Sequence, residues 1–129
     1  MADDYTPCGG HPTTLSFTAG APIQAGQLVA VTGPDTVEPA TTVAGYAGVA
    51  GNDAGAVPGV IIPDIAVTVL AGSGVIHETV VSGTAVTAGG YVTAGAGGTL
   101  VGGSTLANSI GVAVRAAAVG GLARWLSYK

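Results

Sequence analysis

Apolar and polar residues alternate along this chain in short runs, and small turn-forming residues interrupt the runs every few positions. Residues 14–18 spell TLSFT, with Leu15 and Phe17 out of phase with the threonines. A period of two predicts a strand with one apolar face. Residues 27–32 predict a second strand, Gly33-Pro34-Asp35 a turn, and residues 36–38 the return. The same figure recurs as a strand at 90–93, a turn at 94–98 and a return at 99–101. Both are hairpins with loops of a few residues. Residues 46–50 and 110–115 are strands built on Gly-Val-Ala. A glycine inside a strand weakens it, so Gly48 and Gly111 mark a bulge or a close backbone approach. Residues 65–70, IAVTVL, and 121–126, GLARWL, follow. Val67 and Val69 share one face, as do Ala123 and Trp125, while Thr68 and Arg124 point the other way. After the turn Gly72-Ser73-Gly74, residues 75–81 form another strand. No stretch carries a helical apolar stripe, although residues 115–119 could form one helical turn. The pattern predicts an all-β fold.

The recurrence holds a constant register. Gly111 lies 63 positions after Gly48, and Gly89 lies 63 after Gly26. Ala25/Ala88, Val29/Val92, Thr36/Thr99, Val49/Val112 and Ala50/Ala113 are identical at the same offset. An ungapped match with Ala-Gly-x-x-Val at one end and Gly-Val-Ala at the other indicates an internal duplication. It predicts halves at about 23–81 and 86–129, inside a β-rich body of residues 14–129. Residues 1–13 have no hydrophobic period and carry Pro7, Gly9, Gly10 and Pro12. They predict an extended arm.

Composition narrows the class. A chain of 129 residues suits one small body. Aromatics are only 5% of the chain, so Val, Ile, Leu and Ala must build the core. Charged residues are 8%, which suits a surface covered by partners. The net charge is −4, and the three basic residues are Arg115, Arg124 and Lys129. Phosphate neutralisation needs clustered cations, so nucleic acid is excluded as a partner. The apolar run 57–70 is cut by Pro58, Pro63 and Asp64, so no membrane partner is expected. The N-terminus has Asp3 and Asp4 and no apolar stretch of the signal-peptide kind.

Candidate chemistry is sparse. Cys8 and His11 have half of a metal-ligand spacing, but zinc needs three or four ligands. The other histidine, His77, is far along the chain. His77-Glu78 is either a polar pair in a strand or an acid–base pair, and no nucleophile motif stands near it. Gly72-Ser73-Gly74 lacks the spacing of a nucleophile elbow. The glycines at 95–98 precede no helix and no lysine, so they form no phosphate loop. Asp35, Asp53 and Asp64 sit in turns, where the carboxylate satisfies nearby backbone donors. The expectation is no enzyme, no catalytic or metal site and no cofactor. Trp125 is either core filler on the last strand or an anchor at a subunit contact.

Residues 108–121, NSIGVAVRAAAVGG, resemble the capsid-cement or head-decoration proteins of tailed double-stranded DNA bacteriophages, the family of the phage lambda decoration protein. Gly48-Val49-Ala50 followed by Asp53-Ala54-Gly55 is similar to a second element of that family, and residues 82–92 to a third. The resemblance implies a small compact β-barrel or β-clip-like body that forms a homotrimer. It implies attachment to the major capsid protein on the outer surface of a virion, after synthesis in the host cytoplasm. It implies that the arm lies along the capsid. The resemblance carries no catalytic residues. The side chains expected at partners are Tyr5, Pro7, Pro12, Phe17 and Trp125. Two other classes compete: a β-solenoid fibre or adhesin segment, which would repeat at shorter periods, and a carrier-type β-hairpin domain. The carrier needs a lysine at a hairpin tip, whereas Lys129 ends the sequence.

Overall fold

A computed structural model describes residues 7–55 and 66–129. Within them ten strands follow in order: β1 (Thr13–Ala19), β2 (Leu28–Gly33), β3 (Thr36–Pro39), β4 (Tyr46–Ala50), β5 (Ala66–Ala71), β6 (Ile76–Val80), β7 (Tyr91–Ala94), β8 (Leu100–Val101), β9 (Gly111–Ala113) and β10 (Leu122–Ser127). The fold is all-β, as the alternation predicts. Residues 115–119 form no helical turn. Ala117 is tied there to Val86 by a pair of backbone hydrogen bonds, which holds the segment extended. Two short 3-10 turns, Ala96–Gly98 and Leu106–Asn108, have no counterpart in the sequence reading.

The first five strands close into a barrel in the order β1-β3-β2-β4-β5, with β5 returning antiparallel to β1. β1 and β3 run parallel and close the ring at Thr18↔Thr36 and Ala19↔Val37. The last five strands form a sheet in the order β6-β10-β9-β7-β8. This is the barrel order again, read from β1 through β5. The closing contact shrinks to one parallel bridge, Val81↔Leu100.

Backbone bonds repeat with the strands. Ile23 and Ala54 exchange two hydrogen bonds, as do Val86 and Ala117, 63 positions later. Gly26 N–H donates to Ala50 O, and Gly89 N–H to Ala113 O, each at 2.8 Å. Both glycines have positive φ, 92° and 80°, which a side chain would strain. Gly48 and Gly111 mark the close approaches expected of them. A Cβ at either would collide with the carbonyl oxygen of a leucine on the last strand of its half, Leu70 or Leu126.

The repeat also reaches further back than sequence identity does. β1 pairs with β5 as β6 pairs with β10, so Leu15↔Val69 matches His77↔Trp125. β6 opens the second set in the place β1 holds in the first, so it starts the second set rather than closing the first.

Two apolar clusters result. One fills the barrel with Ile23, Val29, Val37, Ala50, Ala54, Val67 and Val69. The same positions in the second half hold Val86, Val92, Leu100, Ala113, Ala117, Ala123 and Trp125, which belong to or pack on the other cluster. That cluster also takes Leu28, Ala30, Ala40 and Val49 from the outer side of the barrel. Each buried Val or Leu contributes about 1.5–3 kcal/mol. The shared cluster therefore welds the halves together.

Candidate partner-binding surface

β6 and β10 alternate strictly. His77 and Thr79 point inward and are buried, while Glu78 points outward. Histidine and glutamate thus lie on opposite faces of one strand, which separates the pair as an acid–base unit. The His77 ring sits 5.1 Å from the Trp125 ring at 36°. Burial pushes its pKa down to about 4, so the imidazole is neutral at neutral pH. Trp125 is wholly buried, and its indole N–H donates to Thr79 Oγ1 at 3.0 Å. Of the two readings of Trp125, the structure shows core filler, with the side chain enclosed within its own chain. One polar group inside the sheet gives the indole the acceptor it needs there.

On the outer face Arg124 donates to Glu78 at 3.1 Å. That hydrogen bond, with Cys8 alongside, raises the guanidinium pKa. Arg124 and Glu78 are each about a third exposed, so the pair adds little stability. Among the described residues no group of three or more His, Cys, Asp or Glu could hold a metal. No helix among them is long and apolar enough to cross a membrane.

Part of the arm has a partner within its own chain. Cys8 N–H donates to Ile76 O at 2.8 Å, and Ile76 N–H donates to Gly9 O at 3.0 Å. This part of the arm adds to the edge of β6 in its own chain. Pro7 and Pro12 are half-buried, whereas Cys8 and His11 are exposed. A Gly/Pro segment has no period to show which edge it joins, so alternation could not reveal this pairing. Tyr5, the loop 57–63 and Asp64 lie outside the described residues. Phe17 is half-buried against the barrel core, so only part of its ring faces outward. Asp53 accepts a hydrogen bond not from its own turn but from Ala25 N–H, 28 positions earlier.

Between the halves runs a groove of about 390 Å³. Residues 24–27 line one wall, and Glu78, Thr79 and Val80 with Gly98 and Thr99 line the other. Val80 and Leu122, paired across β6 and β10, lie exposed at its mouth. Exposed apolar residues also stand elsewhere on the second half, at Tyr91, Leu106 and Val114. The arrangement is a set of apolar, nearly uncharged β surfaces of the kind suited to protein contact.

No known family profile matches this chain, and no curated protein matches it. A solved structure does. It is the crystal structure of the head fiber gp8.5 N base of bacteriophage phi29. The likeness has a TM-score of 0.62 at 21% identity, and it covers 91% of this chain and 94% of that one. At that identity it establishes a shared fold. The match spans both halves, so the two-part β body is common to the two proteins.

Proposed function

We propose that this chain is a structural protein of a phage head, a decoration or cement subunit. On this reading it sits on the outer surface of the capsid, binds the major capsid protein and strengthens contacts between neighbouring capsid subunits. It works as a homotrimer, without enzymatic activity or cofactor. The observation that carries the reading is the near full-length likeness in fold to the base of a phage head fiber. The charge-poor, all-β body and the apolar residues left exposed on it support the same conclusion. The structural match also favours a second reading, in which the body is the base of a projecting head fibre.

The test uses heads that lack the protein. Purified chain is added and the heads are sedimented, then imaged. Saturable co-sedimentation with density on the outer shell is the expected result. A cement subunit would occupy many equivalent sites and raise the temperature at which heads rupture. A fibre base would occupy few sites and leave that temperature unchanged. Absence of binding at saturating protein would end both readings.

A further inference from the structure

The two halves differ in which of their equivalent surfaces are covered. In the first half the outer side of β2 and β4 is buried. Leu28 and Val49 are fully enclosed there, in the cluster shared with the interior of the second half. The turn Ala96–Gly98 caps the contact, with Gly98 N–H donating to Ala40 O at 2.8 Å. The equivalent side of the second half is open. Tyr91 stands in the place of Leu28 and is 37% exposed. Leu106 stands in the place of the half-buried Val43 and is 63% exposed. The opposite imbalance exists on the first strands. His77 and Thr79 on β6 are buried, but their counterpart Leu15 on β1 is 41% exposed and Phe17 half-buried. Each chain therefore carries one uncovered surface of each kind.

The two uncovered surfaces also match in size. Gly98 has no room for a side chain, since a Cβ would lie 2.8 Å from Leu28 O and 2.9 Å from Gln27 Cβ. Its counterpart in the first half is Asp35, which has a side chain and keeps the same backbone hand, φ 52° against 76°. In the second half the places of Gln27 and Ala40 are taken by Gly90 and Gly103. The side-chain obstacle to Asp35, the one Gln27 poses to a Cβ at Gly98, is thus absent where it would dock, and the Tyr91 carbonyl stands in the place of Leu28 O.

We propose that a second copy of the chain binds head to tail. The outer side of β7 and β9 in one copy receives the turn at 33–35 and the exposed side of β1 from the next. The contact repeats between chains the packing that already joins the halves within one. It rests on the self-association reading above and names the surfaces for it. Two unlike patches meet, and in the homotrimer proposed above the rotation between copies closes them as a ring of three.

The test uses two full-length variants, Tyr91→Asp on one surface and Leu15→Asp on the other. Light scattering after size exclusion gives the masses at high protein concentration, and thermal melting checks that both variants fold. The expected result is an assembled wild type, two monomeric variants that melt as the wild type does, and a 1:1 dimer when the variants are mixed. The mixture keeps one intact junction and cannot extend it. Two variants that retain the wild-type mass would overturn the proposed surfaces and leave self-association standing. Monomeric variants that fail to pair when mixed would overturn the head-to-tail arrangement. A wild type that stays monomeric would overturn self-association itself. Should either aspartate variant fail to fold, Tyr91→Ser and Leu15→Thr replace them with the same outcomes.

Discussion

Val69 and Trp125 occupy the same place in two five-stranded bodies with the same strand order. The first body closes its ring with two residue pairs between β1 and β3, and small side chains fill it. The second closes through one bridge, and it is filled by a tryptophan against a histidine and by apolar residues from its neighbour. One backbone plan therefore tolerates two ways of making an interior. A closed ring buries its own small residues. A gaping one needs bulk and an outside wall. Breaking the second interior should cost more than breaking the first.

Trp125→Ala is the sharpest way to test that. It empties the largest buried site and leaves Thr79 Oγ1 without its donor, so about 3–5 kcal/mol of stability should be lost. Val69→Ala in the first half should cost roughly 2 kcal/mol less, by urea denaturation of both variants. Equal losses would mean that the halves share the burden evenly.

The histidine gives the next effect. The folded pKa of His77 is about 4 against an ordinary value of 6.5, so the folded state resists protonation. Its contribution is fully present above pH 6.5 and is lost as pH falls towards 4. The loss amounts to about 3 kcal/mol over that window. His77→Leu installs the residue type found at Leu15, the matching site, and should remove this component. The difference between the two pH–stability curves isolates it from the carboxylates.

Much of this comparison was legible in advance. The Ala-Gly turns and Gly-Val-Ala strands fixed the offset of 63, because glycine at those points is demanded by positive φ and by carbonyls pressed against it. Alternation alone put Val67 and Val69 on one face and Ala123 and Trp125 on the corresponding one, and the structure turns both faces inward. The kinship of β1 with β6 was hidden, since TTLSFTA and IHETV share a position in the sheet and almost no chemistry. Their outward faces differ because one is polar and the other ion-paired, and their inward faces differ because the interiors do. The proposed partner surface was harder still. Tyr91, Leu106 and Leu15 are ordinary strand or loop residues in sequence, and only the covered state of their counterparts marks them.

The glycines test the comparison at smaller scale. Gly48→Ala and Gly111→Ala each push a methyl at a carbonyl, at a cost of about 1–3 kcal/mol. Gly111→Ala also meets the Trp125 ring at 2.7 Å, whereas Gly48→Ala meets a valine methyl and strains a backbone of φ 156°. Thermal melts of the two variants rank them. The smallest effect belongs to the ion pair. Replacing Glu78 and Arg124 with Ser and Thr, the residues of the matching pair Ser16↔Thr68, should cost less than about 1 kcal/mol and should fade in high salt.

The link between the halves has a consequence in time. The chain passes from β5 to β6 through Gly72-Ser73-Gly74, and no strand of β1–β5 pairs with any of β6–β10. During synthesis the barrel is complete once Ala71 has left the ribosome, before the tryptophan strand exists. Until that strand arrives, the nascent barrel shows Leu28, Ala30, Ala40 and Val49 to water, the wall meant for its sibling. A ribosome paused between the halves would hold out an adhesive face, and crowded polysomes would be where such chains first find the wrong neighbour.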